Sequence, residues 1–202
     1  FKVGAHLSSQ GSNTLFSPFA YFTFDIQKQL SIFASYSGES DFLSINDFIF
    51  RNRYYKVGQT ENVFQRKVSN LKGAIKYEYT KALEIKAGLT FEKYNNYLYF
   101  EDNAVDAIFD INTIDDVKRN AIFFNIELDA NQYGKLFANL EFQNVTNGDS
   151  KKITYTPTFV TDISYSYRFL YNLLGRVQLS YYGSSYADLE NTVELPNFVN
   201  IS

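Results

Sequence analysis

Hydrophobic and polar side chains alternate along this chain with a period of two. That is the period of an extended strand, whose successive side chains point to opposite faces. From Ala20, one face carries Ala20, Phe22, Phe24 and Ile26, and the other Tyr21, Thr23, Asp25 and Gln27. The pattern returns at Leu30, Ile32, Ala34 and Tyr36, at Leu71, Gly73, Ile75, Tyr77 and Tyr79, and at Leu83, Ile85, Ala87, Leu89 and Phe91. It continues through 122–129, 135–142, 159–168 and 176–182, with partial strands at 1–7 and 197–202. The expectation is an all-β protein with about ten strands visible.

The connections alternate as well. Short turns are predicted near 27–29, 81–82, 130–134 and 170–173, and long polar segments at 8–17, 37–62, 93–120, 143–157 and 183–196. Short turns at one end and long loops at the other describe antiparallel, up-and-down transmembrane barrels of the bacterial outer membrane. A soluble sandwich also alternates apolar and polar residues, so a soluble all-β binding module is the competing reading. Two further features favour the lipid bilayer. The alternation over 71–80 covers ten residues, matching the roughly 9–11 of a tilted transmembrane strand better than the roughly 5–6 of a globular one. The apolar face also gathers aromatics near both strand ends. Phe24, Tyr77, Tyr79, Tyr165 and Tyr167 fall near the short turns, and Tyr36, Phe91, Phe142, Phe159 and Tyr181 towards the long loops. Lipid interfaces select such paired girdles. The opposite face mixes both charge signs, among them Lys72, Lys76, Glu78, Glu84, Lys86, Glu92, Glu141 and Arg176. This fits a packed, plugged interior or a weakly selective pore better than a strongly ion-selective one.

Composition narrows the chemistry. All aromatic residues are Phe (20) or Tyr (17), types that suit a pleated, half-buried surface. With no cysteine and one histidine, His6, there is no disulfide framework, thiolate zinc site or histidine cluster to build. No metal and no cofactor are expected. A net charge of −3 gives no basic footprint for nucleic acid. No apolar run approaches the roughly 20 residues of a membrane-spanning helix. His6 has no nucleophile or second base in a recognisable arrangement, so the chain does not read as an enzyme. It opens on Phe1-Lys2-Val3-Gly4, already strand-like. The expectation is one outer-membrane barrel domain over 1–202, a partial barrel whose N-terminus lies upstream and whose edge strands pair with missing neighbours.

Two loop segments are candidates for chemistry. Arg51-Asn52-Arg53-Tyr54-Tyr55-Lys56 joins cations to aromatic rings in a predicted extracellular loop. Arg51, Arg53, Tyr54 and Tyr55 could bind an anionic chelate or a sugar by guanidinium donation and ring stacking, against the alternative of a solvated basic loop. The acidic segment 102–116, with Asp106, Asp110, Asn112, Asp115 and Asp116, lacks the glycine and glutamate of a calcium-binding EF-hand loop. It reads as a solvated loop, or, through Ile108, Phe109 and Ile111, as a strand extending above the membrane.

Three stretches carry a resemblance to a known family. They are Tyr21-Phe22-Thr23-Phe24-Asp25-Ile26 through Phe48-Ile49-Phe50-Arg51-Asn52-Arg53-Tyr54-Tyr55, then Leu89-Thr90-Phe91-Glu92-Lys93-Tyr94-Asn95-Asn96-Tyr97-Leu98-Tyr99-Phe100, and Val193-Glu194-Leu195-Pro196-Asn197-Phe198-Val199-Asn200-Ile201-Ser202. The layout resembles the C-terminal part of the barrel in TonB-dependent outer-membrane receptors of Bacteroidota-like bacteria. The resemblance implies uptake of a nutrient such as an iron chelate, cobalamin or an oligosaccharide. It also implies energy passed from an inner-membrane coupling protein through a plug domain. The plug, the coupling box and the usual aromatic final residue are not among these residues, which end at Ser202. A passive outer-membrane porin or channel is the alternative.

Overall fold

A computed structural model of the protein describes residues 1–10, 13–42, 64–102, 108–169 and 173–202. In chain order the strands are β1 (Lys2–Gln10), β2 (Asn13–Gln27), β3 (Leu30–Phe42), β4 (Phe64–Thr80), β5 (Leu83–Asn95), β6 (Tyr97–Asp102) and β7 (Phe109–Ile114). They continue with β8 (Val117–Asp129), β9 (Lys135–Thr146), β10 (Phe159–Arg168), β11 (Leu174–Tyr182), β12 (Ser185–Tyr186), β13 (Glu194–Leu195) and β14 (Phe198–Ile201). Ten of them form one sheet in the order β1-β2-β3-β4-β5-β8-β9-β10-β11-β14, every pair antiparallel. Ribbons β6–β7 and β12–β13 stand apart from it, both in the long connections. The protein is thus all-β, with the up-and-down order of a barrel wall and β1 and β14 at its two edges.

The register explains why the alternation was so legible. Ile32 lies opposite Phe24 on one side and Ile75 on the other. Ile85 faces Tyr77 and Ile126, and Ala138 faces Ile126 and Ile163. The series ends with Leu179 opposite Ile201. Apolar residues therefore share one face across all ten strands, and a slip of one residue anywhere would break that continuity.

That apolar face is the open one. Ile75, Ile122 and Val177 are 54%, 58% and 60% exposed, whereas Glu92 on the other face is 7% exposed. Thr90, Ser164 and Ser180 are likewise buried on that face, on β5, β10 and β11. A water-soluble sheet does the reverse, and an apolar surface of this extent needs lipid or protein against it. The girdles fall where the sequence placed them. At the loop end, the rings of Phe142, Phe159 and Tyr181 contact one another across three strands, with centroids 4.4 Å and 5.7 Å apart. At the turn end, the Tyr165 hydroxyl donates to the carbonyl of Tyr133. Phe159 and Tyr167 lie eight residues apart on β10, roughly 27 Å along a strand at about 3.4 Å per residue. At a tilt of about 40° this gives roughly 20 Å of height, close to the apolar band of an outer-membrane barrel.

The described short turns follow their sequence cues, residues 170–172 and 43–62 lie outside the described residues, and strands run into the predicted long loops at 37–42, 93–95, 117–120 and 143–146. Lys81 and Ala82 form a tight turn, as do Lys28 and Gln29, and 131–133 is a single 3₁₀ turn closed by Gly134 at φ 95°. Within the polar stretch 8–17, expected as a long loop, residues 8–10 and 13–17 are instead strand, with Ser8 opposite Leu15, Ser9 opposite Thr14 and Gln10 opposite Asn13. A strand that rises into water needs no apolar partner. Hydroxyl pairs such as Ser9 and Thr14, whose side-chain oxygens lie 3.5 Å apart, hold it instead. Within the acidic segment, 109–114 is strand, as Phe109 and Ile111 suggested: β6 and β7 pair from Tyr97–Ile114 to Asp102–Phe109.

Candidate functional site

The loop end of the sheet holds two linked structures. The lower one is a charge network on the polar wall. Arg119 of β8 donates to Glu92 Oε2 at 2.6 Å, to Gln143 Oε1 at 2.8 Å and to a carboxylate oxygen of Glu141. Lys67 approaches the other oxygen of Glu92 at 3.2 Å and Glu39 at 3.4 Å, and the Tyr94 hydroxyl donates to Glu92 at 2.8 Å. Lys67 reaches this face through a bulge in β4, where the register shifts between Lys67 and Ser69 and one extra residue reverses the parity of the strand.

Above it, three long connections pack on one another. Tyr94, Val117, Val145 and Ile153 form a small buried core, covered by Tyr97, Tyr99, Ile114 and Leu189. Hydrogen bonds tie the segments together. Thr154 donates its hydroxyl to the carbonyl of Phe100 at 2.7 Å, and the amide of Tyr155 donates to the carbonyl of Tyr186 at 2.8 Å. Asn191 clamps Lys152 from both sides, accepting from its amide at 2.7 Å and donating to its carbonyl at 2.9 Å. Asp188 fixes its own loop by accepting from the amides of Thr192 and Val193 and from the Thr192 hydroxyl.

Between these segments opens a cleft of 750 Å³, within the usual range for a small-molecule site. Its walls are the β6 aromatics Tyr97, Tyr99 and Phe100, then Tyr155, and Tyr182 with Phe198 on the sheet edge. Neighbouring rings hold several of these in place. Tyr97 meets Tyr94 edge-on at 5.0 Å, Tyr155 meets Phe109 edge-on at 5.2 Å, and Tyr182 stacks on Phe198 at 4.7 Å. Thr154, Thr156, Ser185 and Asn197 supply polar groups, and no charged side chain is among the described lining residues. Burial and nearby carboxylates, Glu101 for Tyr99 and Asp102 and Asp188 for Tyr155, push both phenols upward, so their hydroxyls stay protonated and able to donate.

The sequence candidates distribute unevenly. Arg51, Arg53, Tyr54 and Tyr55 lie outside the described residues. Within the acidic segment, Asp115 accepts from the amide of Asn96 at 2.8 Å, and Asp116 pairs with Lys93 at 2.9 Å. That contact holds the Asp116 carboxyl below its usual range. No group of three or more potential metal-ligating side chains occurs among the described residues. His6 stacks on Phe19 at 4.7 Å, on the polar face. The aromatic cleft was not foreseen, because its members come from 97–100, 153–157 and 182–198, and only their run of tyrosines could have signalled it.

These features define the class: the wall of an outer-membrane-type β-barrel with an ordered extracellular-type cap. No protein-family model matches the chain, and no curated protein matches its sequence. Solved structures do. The fold is that of the barrel in TonB-dependent outer-membrane receptors. A mutant of the ferric enterobactin receptor PfeA from Pseudomonas aeruginosa superposes with a TM-score of 0.61 at 13% identity, over 92% of this chain and 31% of that one. The ferric yersiniabactin uptake receptor FyuA from Yersinia pestis gives 0.62 at 8% identity, over 94% and 29%. The FrpB iron transporter from Neisseria meningitidis gives 0.55 at 12% identity, over 93% and 31%. The chain thus spans between 29% and 31% of the length of these three structures.

Proposed function

We propose that this chain is part of the wall of a TonB-dependent receptor in the bacterial outer membrane. The receptor would take up a nutrient such as an iron chelate, cobalamin or an oligosaccharide. The observation that carries this reading is the inverted sheet. Its aliphatic face is open, its charged face is crowded, and its long connections rise on one side to form a cap. In this reading β1 and β14 pair with further strands of the barrel, and the polar wall packs against a plug through which an inner-membrane coupling protein acts. The Arg51, Arg53, Tyr54 and Tyr55 cluster contributes to ligand capture from its loop. The chain is a transporter component with no catalytic role.

The test uses the full-length protein in its own cells. Outer-membrane fractionation should recover it with the lipopolysaccharide-containing membranes. Reconstituted in planar bilayers, it should show no steady open conductance, because a plugged lumen blocks ions. Recovery in the soluble fraction would overturn the membrane assignment. A stable open pore would replace the gated receptor with a passive channel.

A further inference from the structure

We infer that the cleft between the β6–β7 ribbon, the 153–157 segment and the β11–β14 edge is a binding site for an uncharged, ring-bearing ligand of the oligosaccharide class. It rests on the transport reading only in that the cleft faces the outside. Three observations converge on it.

The first is the chemistry of the lining. Tyr97, Tyr99, Tyr155 and Tyr182 line the cleft with rings of the kind on which the C–H face of a sugar packs. Thr154 and Thr156, whose hydroxyl hydrogens go to the carbonyls of Phe100 and Thr154, keep oxygen lone pairs to accept from sugar hydroxyls, and Ser185 and Asn197 add a hydroxyl and an amide. The second is charge. A ferric chelate carrying several negative charges loses its hydration on entry and needs cations in return. The described lining supplies none, and the carboxylates of Asp102 and Asp188 act on Tyr155, with a field that would repel an anion. The neighbouring cations are engaged elsewhere, Lys152 over the Tyr186 ring at 6.0 Å and Lys151 on the Glu190 carbonyl at 2.9 Å. The third is preorganisation. Tyr97, Tyr155 and Tyr182 are each held by another ring, and the Asn191–Lys152 clamp fixes the segment behind Tyr155. A ligand therefore meets rings that are already placed, which lowers the ordering cost of binding.

The experiment is titration calorimetry with saturation-transfer NMR on the full-length protein in amine-oxide micelles, which avoid the sugar headgroups of glycoside detergents. Maltohexaose and xylohexaose are the neutral probes, a ferric tris-catecholate the anionic one and tetramethylammonium the cationic one. At least one neutral probe should bind with saturation transfer to its ring C–H protons. Tyr155→Ala and, on a different element, Tyr182→Ala should each weaken it about tenfold, equivalent to one lost stacking contact. Tyr155→Phe should retain most of the affinity. Heat-modifiable migration of each variant shows that the barrel is intact. No neutral binding, binding indifferent to both alanine variants, or tighter binding of the cation overturns the inference. Anion binding that both alanine variants weaken overturns it too, yet leaves the transport reading standing. Recovery of the protein outside the outer membrane removes the transport reading without touching the cleft result.

Discussion

Arg119 and Glu92 meet across the β5–β8 pair at 2.6 Å, and each is further bound, Arg119 by Glu141 and Gln143 and Glu92 by Lys67 and Tyr94. The Glu92 side chain is 5% exposed and that of Arg119 20%. Removing one member leaves buried charge without its partner, which costs more than the intact pair contributes. Arg119→Met should lower stability by about 2–3 kcal/mol, below the roughly 3–5 kcal/mol of a fully buried pair because Arg119 keeps some solvent contact. Glu92→Gln should cost less, since the amide still accepts from Arg119 and Tyr94. Urea midpoints of refolded protein in lipid vesicles decide the order, and equal losses in both variants would contradict it.

A second prediction concerns Gly88. Phe123 lies over it so closely that an added Cβ would stand 2.6 Å from the ring and 2.3 Å from the carbonyl oxygen of Gly73. Lys72 then caps the ring, 4.5 Å from its centroid. Gly88→Ala should destabilise by about 1–3 kcal/mol through overpacking. Adding Phe123→Ala should recover only part of that, because the backbone clash with Gly73 stays. Full recovery in the double variant would show that only the ring matters.

The lipid-facing assignment makes a depth-dependent prediction. Ile75 sits in the middle of β4 on the open apolar face and Tyr79 near its turn end. A lysine at the bilayer midplane costs about 2–4 kcal/mol and near the interface about 0–1 kcal/mol. Ile75→Lys should therefore slow or prevent folding into vesicles, and Tyr79→Lys should pass almost unnoticed. If both are tolerated alike, the open face is not covered by lipid.

Most of this architecture could be read from the sequence because a membrane barrel writes its two faces into alternate residues. Ile32, Ile75, Ile85 and Ile126 fall on one face by parity alone, and the paired register keeps them there. Parity fails where a bulge intervenes. Lys67 joins Glu92 only because the strand gains a residue near Val68, which no local pattern marks. It also fails above the membrane, where Ser8, Ser9 and Thr14 continue a strand without an apolar face and so resemble a loop. The cleft was least legible, since Tyr97, Tyr155 and Tyr182 are brought together by three separate connections and by side-chain clamps such as Asn191, none of which leaves a periodic trace.

Asn191 is the clamp to test. Its φ of 59° suits asparagine, which tolerates the left-handed region, and its amide bonds both backbone groups of Lys152. Asn191→Gly keeps the backbone conformation and removes the bonds. It should raise amide exchange at Lys152 about tenfold, matching roughly 1–1.5 kcal/mol for the lost pairing. An unchanged exchange rate would mean that packing of Leu189, not the clamp, holds this loop down.

Acid should loosen the same loop from its other end. The amide of Val193 and the hydroxyl of Thr192 donate to Asp188, and these bonds hold its carboxyl below the ordinary carboxylate value. A depressed folded value means that the unfolded loop binds the proton first. The stabilising contribution is therefore complete above the unfolded carboxyl range near pH ~4 and disappears as pH falls through the lower folded value. Exchange at Thr192 and Val193, corrected for its intrinsic pH dependence, should be flat from neutral pH down to that range and rise below it. In Asp188→Asn the rise should vanish, because the amide does not titrate: its single oxygen accepts from the Val193 amide at every pH, and its NH2 takes the place of the oxygen that faced the Thr192 hydroxyl. A pH-dependent rise that survives this substitution would place the titrating group elsewhere in the cap.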